Sequence, residues 1–145
     1  MLEANIVTVL GGPRALGRAV HNQLDLADLI AGGIPNCAAL SLRRRLHFTE
    51  QELANSLGVS AKTLRRAAAR RPARLTPAQG DRLYRLARIV AMAEEVFEDM
   101  ERAYRWLREP QRGLGERVPL SLLITEAGAR EVEDLLGRIE YGIFS

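Results

Sequence analysis

Residues 49–70 constrain the fold more than any other stretch, because they spell two short helices joined by one tight turn. Thr49 followed by Glu52 is a capping box, in which the hydroxyl caps a free backbone N–H and the carboxylate reaches back to the cap residue. The helix it opens runs to about Leu57, with Leu53 and Leu57 facing inward. Gly58 supplies the left-handed conformation that a side chain disfavours. Ser60 caps a second helix, about Ala61 to Arg70, which Pro72 ends. Ala54 is small where the helices cross, Val59 plugs the corner, and Leu64 and Ala67 point to the core. These positions agree in chemistry and spacing with a helix-turn-helix.

The rest of the chain reads as nearly all-α. Aromatics are only 5% of 145 residues, so the core must be built mainly from Leu, Ala, Val and Ile. Ile6-Val7-Thr8-Val9-Leu10 reads as a short strand or an extended arm, broken by Gly11-Gly12-Pro13. Residues 14–31 read as one helix, with Leu24, Ala27 and Leu29-Ile30 at roughly helical spacing. Gly32-Gly33 ends it, and Pro35 suits the first turn of the next, which runs to about Leu46. Thr76-Pro77 opens a helix carrying Leu83, Leu86, Ile89-Val90 and Ala93. A further helix is expected from about Val96 to Arg108, with Glu98–Arg102 and Glu101–Arg105 as i,i+4 pairs. Pro110, Gly113 and Gly115 make a loop, and Pro119 begins a short turn through Leu123. Thr125 caps a last helix with Ala129, Val132, Leu135-Leu136 and Ile139 as its buried stripe, ended by Gly142.

The net charge of +3 hides an uneven distribution. Residues 42–88 hold 12 Lys or Arg against 3 acids, residues 89–145 hold 7 against 12, and residues 1–41 hold 2 against 3. A basic centre beside an acidic end points to two surfaces with different partners. Within that centre, the second helix of the motif offers Ser60, Lys62, Thr63, Arg65, Arg66 and Arg70 to DNA. Arg can pair bidentately with guanine, and Ser or Thr can reach bases or phosphates. Arg43, Arg44, Arg45, Arg71 and Arg74 flank it as candidate backbone anchors. The competing reading is a helical hairpin that only packs.

Catalytic and metal chemistry find little support. His21, His47 and the lone Cys37 do not make a zinc site, and neither His is spaced to activate a nucleophile. Gly11 to Gly17 lacks the Gly-Lys-Ser/Thr ending of a phosphate loop. Glu94-Glu95 and Glu98-Asp99 read as a solvated helix face. We therefore expect no enzyme, no cofactor and no metal. No apolar run approaches a membrane span, and a single cysteine without a signal-like N-terminus fits a cytoplasmic protein.

The end of the chain, Arg138-Ile139-Glu140-Tyr141-Gly142-Ile143-Phe144-Ser145, carries large apolar and aromatic residues where termini are usually polar. They either fold back on their own domain or enter a pocket on a partner. Upstream lie Ala103-Tyr104-Arg105-Trp106-Leu107-Arg108-Glu109-Pro110, Leu114-Gly115, Val118-Pro119-Leu120-Ser121-Leu122-Leu123 and Thr125-Glu126-Ala127-Gly128-Ala129. Together with Arg138 to Gly142, these segments resemble the toxin-binding domain of Xre/MbcA/ParS-type antitoxins, the partners of RES-domain toxins. Gly33-Ile34-Pro35, the helix-turn-helix and the run Asp81 to Ile89 extend the resemblance over about residues 30–145.

The resemblance implies a homodimer that binds its own operator DNA and represses its operon. It also implies binding to a RES toxin, which consumes NAD or uses it to modify targets. The toxin-binding residues would be Arg138, Glu140, Tyr141, Gly142, Ile143, Phe144 and Ser145, inserted at the toxin active site. Trp106, Leu107, Pro119 and Leu123 would shape the domain that presents them. Two departures stand out: Glu116 sits where relatives often have Gly, and Ala67-Ala68-Ala69 is poorer in basic residues than many recognition helices of the family. The expected architecture is all-α: an N-terminal arm and helix at 1–32, a helix-turn-helix region at 33–92 and a small helical toxin-binding domain at 93–145. The alternative is a stand-alone helix-turn-helix transcription regulator whose C-terminal domain serves dimerisation.

Overall fold

Caps and left-handed residues punctuate the chain into helices and short turns. A computed structural model describes residues 2–142. In chain order the helices are α1 (Leu2–Val9), α2 (Gly12–Leu16), α3 (Gln23–Gly32), α4 (Asn36–Leu46), α5 (Glu50–Leu57), α6 (Ala61–Ala69), α7 (Pro77–Phe97), α8 (Met100–Arg108) and α9 (Glu126–Glu140). Two 3₁₀ turns, Arg112–Leu114 and Pro119–Leu122, join the last two helices. Among the described residues the only β-type pairings are isolated bridges, Pro35 with Arg74 and Gln111 with Arg117.

The longest helix, α7, is the axis of the molecule. At 21 residues it runs about 30 Å. The Thr76 capping box starts it, with Pro77 in the first turn. Leu83, Leu86, Ala87, Ile89, Val90, Ala91 and Ala93 are all buried, so α7 is covered on more than one side. Helices α1, α3, α5, α8 and α9 all pack on it, and one apolar core extends from Ile6 to Leu136.

Three expectations need correction. Residues 2–9 form a helix rather than a strand or arm. The run Ile6-Val7-Thr8-Val9 favours strands locally, but no strand partner exists among the described residues. Burying Ile6, Val9 and Leu10 in the common core outweighs that weak preference. Residues 14–31 are not one helix. Gly17, at φ 76°, ends α2, and the Asn22 side chain accepts from Asp25 N at 2.9 Å to start α3. That restart sets a different phase: Leu26 and Leu29 are buried, whereas Leu24 is 75% exposed.

Finally, no helix begins at Val96. The axis helix continues through Phe97, and Glu98 turns left-handed at φ 53°. Asp99 then caps α8 by accepting from Glu101 N and Arg102 N. Glu98 and Arg102 therefore do not share a helix. Neither expected i,i+4 pair occurs among the ion pairs of the described residues, and Arg102 instead lies over the Phe97 ring at 5.8 Å.

Candidate functional site

The helix-turn-helix forms as its residues require. In α5, the Thr49 Oγ1 accepts from Glu52 N at 3.1 Å while Glu52 Oε1 accepts from Thr49 N at 2.9 Å. Leu53, Ala54 and Leu57 are buried from α5, and Leu64 and Ala67 from α6. Gly58 has φ 70°, and a Cβ there would lie 2.6 Å from Arg82 Nη1. That guanidinium reaches from α7 to donate to Leu57 O at 3.0 Å. Thus one arginine closes the end of α5 and fixes the motif on the axis, and glycine leaves it room.

The sequence-predicted DNA residues gather along α6 and fall into two groups. Ser60 Oγ accepts from Thr63 N at 3.0 Å and lies 2.9 Å from Thr63 Oγ1, so both hydroxyls are engaged in the cap. Arg65 pairs with Glu50 across the two helices. Lys62, Arg66 and Arg70 are exposed and have no side-chain partner among the described residues. Helical geometry places Lys62, Arg65, Arg66 and Ala69 opposite the buried Leu64 and Ala67, as one outward face.

Most flanking arginines are structural. Arg43 Nε donates to Phe48 O at 3.1 Å, Arg74 Nη1 to Gly33 O at 2.9 Å, and Arg71 Nη1 to Ala68 O and Arg70 O. Arg45 forms a two-pronged bond to Glu94, at 2.9 Å for each prong. Arg44 remains exposed and free of side-chain partners among the described residues. Charge counting cannot separate an arginine that caps a carbonyl from one that faces solvent.

Sequence reading missed the cluster around Glu94. Tyr104 Oη donates to Glu94 Oε2 at 2.6 Å, so this carboxylate joins α4, α7 and α8. Burial, reinforced by the bond to Glu94, pushes the Tyr104 phenol well above its ordinary range. The Glu94 bond also holds the Arg45 guanidinium above its usual value. Nearby, Arg108 donates to Leu46 O and lies 5.2 Å over the Phe48 ring, a second tie from α8 to the end of α4. The sequence alone places Glu94 on a solvated face, whereas its side chain is only 15% exposed.

The C-terminal surface is built on α9. Thr125 Oγ1 caps it by accepting from Gly128 N at 3.0 Å. Ala129, Val132, Leu135 and Leu136 bury its inner stripe. Arg85 Nη1 donates to Leu123 O at 3.1 Å and to Ile124 O at 3.3 Å. Arg88 Nη2 bonds Glu126 at 3.1 Å, and its Nε lies 2.6 Å from Glu133 Oε1. This last contact is an ion pair outside hydrogen-bond alignment, and neither atom has a hydrogen-bond partner among the described residues. Burial disfavours the Arg88 charge, but Glu133, Tyr84 and Glu126 outweigh it and hold its pKa above the ordinary value.

At the outer end of α9 the chain leaves the core. Arg138 and Ile139 are half-buried, Glu140 and Gly142 are exposed, and Tyr141 is 81% exposed. The Tyr141 side chain therefore does not fold back. Ile143, Phe144 and Ser145 lie outside the described residues. Leu107, Pro119 and Leu123 are buried, and Trp106 stacks at a tilt on Phe97 with ring centroids 5.6 Å apart. Among the described residues no three His, Cys, Asp or Glu side chains are grouped to hold a metal, and no helix is long and apolar enough to cross a membrane.

Comparisons with known proteins match two adjoining segments of the chain. Residues 25–88 match an antitoxin Xre-like helix-turn-helix domain, and residues 92–142 match the antitoxin Xre/MbcA/ParS C-terminal toxin-binding domain. The chain is similar to the antitoxin Xre of Yersinia enterocolitica, with 34% identity over 133 residues, 91% of this chain and 89% of that protein. It is 31% identical to the antitoxin Xre of Photorhabdus laumondii over the same shares of each. Its likeness to the antitoxin Xre of Pseudomonas putida is 41% identity over 68 residues, 47% of this chain and 43% of that protein.

Proposed function

This chain belongs to the Xre family of antitoxins, and from that premise we propose that it neutralises a RES-type toxin by placing the end of α9 and the residues after it in the toxin active site. The observation that carries the reading is the exposure of Tyr141. An aromatic side chain 81% exposed at the tip of a well-anchored helix is suited to fill a pocket on another protein. The ion pairs of Arg85 and Arg88 with Glu126 and Glu133 hold the first half of α9 against the axis, so the helix that carries the tip is set before binding. Arg138 and Glu140 flank the tyrosine with opposite charges, and Ile143, Phe144 and Ser145 complete the inserted segment.

The same molecule represses its own operon through α6, acting as a homodimer on paired half-sites. The outward Lys62, Arg66 and Arg70 support this, since phosphate contact requires cations not already committed within the protein.

The test is growth of cells expressing the toxin from the adjacent gene, with the native chain or with a chain lacking Tyr141 to Ser145. Native protein is expected to restore growth, and the shortened protein to fail while still retarding operator DNA in a gel. Full rescue by the shortened protein would refute insertion of the C-terminal end.

A further inference from the structure

A carboxylate on the DNA-facing side of a helix-turn-helix repels phosphates, so Glu50 needs a reason to be there. It occupies the first turn of α5, after the Thr49 cap, and its Oε1 pairs with Arg65 Nη1 from α6. The two residues are 15 apart in sequence and meet at the surface, with side chains 39% and 61% exposed. Arg43 lines the same shallow groove, but its Nε is committed to Phe48 O. Among the described residues, the ion pair of Glu50 is with Arg65. The other cations of this surface, Lys62, Arg66 and Arg70, have no acidic partner among the described residues.

This asymmetry has a chemical meaning. A guanidinium presents five N–H donors on a rigid plane, so one edge can be held by a carboxylate while the rest stays available. Holding it neutralises much of its charge, which makes Arg65 a poor phosphate anchor. The single Nη1 contact aims the side chain and leaves Nε and Nη2 for a contact whose geometry matters, the two-pronged bond to guanine O6 and N7. We propose that Glu50 is a positioning residue that presents Arg65 to a guanine in the major groove, and that Lys62, Arg66 and Arg70 supply sequence-independent phosphate contacts. The proposal rests on α6 being the DNA-reading helix.

The probe is a duplex selected from a randomised pool by the native full-length protein, with each G·C pair of the selected sequence then replaced singly by A·T. For native protein, replacing one such pair weakens binding by about tenfold or more. In Glu50→Ala, Glu50→Gln and Arg65→Lys that difference collapses to less than about threefold, while thermal unfolding of each variant stays near native. Glu50→Ala also binds random-sequence duplex more tightly, with a salt dependence steeper by about one ion, because a charge previously held within the protein is freed. Arg65→Lys keeps a cation but lacks the fork, so it loses discrimination through geometry rather than charge. Discrimination undiminished in both Glu50 variants overturns the positioning role alone. Undiminished discrimination in Arg65→Lys overturns the guanine contact. A native protein that selects no sequence overturns the DNA-reading role of α6, and this proposal with it.

Discussion

Replacing Glu94 with Gln removes the carboxylate that Arg45 and Tyr104 share while leaving its shape almost unchanged. The Arg45 side chain is 25% exposed and that of Glu94 is 15% exposed, so the pair lies between two limits. A fully buried pair that loses one partner costs about 3–5 kcal/mol, whereas a surface pair is worth about 0–1. The neutral amide keeps one acceptor for the guanidinium but turns its NH2 toward a second donor, either Arg45 or the Tyr104 hydroxyl. Mostly buried geometry places Glu94→Gln at about 2–3 kcal/mol of lost stability. For a chain of this length that lowers Tm by roughly 6–12 °C. The assay is urea and thermal unfolding followed by circular dichroism, run as a double-mutant cycle with Arg45→Met. The double variant is expected to be more stable than Glu94→Gln alone, because it leaves no unpaired cation, with a coupling of about 1–2 kcal/mol. A loss below about 0.5 kcal/mol with no coupling would refute the view that this cluster clamps α4 to α8.

Three further outcomes follow from the geometry. Glu116 is left-handed at φ 64° while its N–H bonds Gln111 O at 2.9 Å; Glu116→Gly is expected to raise stability by about 0.5–1 kcal/mol, read as a higher urea midpoint. Gly128 admits no Cβ, because one would sit 2.0 Å from Leu122 O, so Gly128→Ala should displace the start of α9, abolish toxin rescue and lower Tm. The folded chain holds the Tyr104 phenol protonated above its ordinary pKa of about 10, so the unfolded chain gives up that proton first. That contribution is complete below about pH 10 and falls as pH rises further, by at most about 1.4 kcal/mol per pH unit; Tyr104→Phe should flatten the alkaline slope of unfolding free energy.

What was legible in the sequence was the local chemistry. Thr49, Glu52, Gly58, Ser60, Thr76 and Thr125 declare helix ends through bonds within a few residues, and those ends stand where expected. The phase of α3 was not legible, because Asn22 competes with several other plausible caps and Leu24 looks as apolar as Leu26. The helical state of residues 2–9 depends on a core assembled mainly by α7, far away in sequence. At the DNA face, residue types were readable but commitments were not. Arg43, Arg65 and Arg74 look alike in sequence and differ only in what the fold brings beside them. At the other surface, the tyrosine stood out by its position near the end of the chain, whereas the arginines of α7 that hold its helix stood within a basic run and gave no sign of that task.

Both family matches, ending at residue 88 and beginning at residue 92, meet inside α7 rather than at a linker. No flexible joint lies there at which one half can be exchanged for another. A new C-terminal half brought in by recombination would need an inner face complementary to Arg45, Arg85, Arg88 and Ile89, side chains that stay with the helix-turn-helix half. Change at the two surfaces is therefore constrained to proceed through substitutions on their outer faces, with the shared axis left intact.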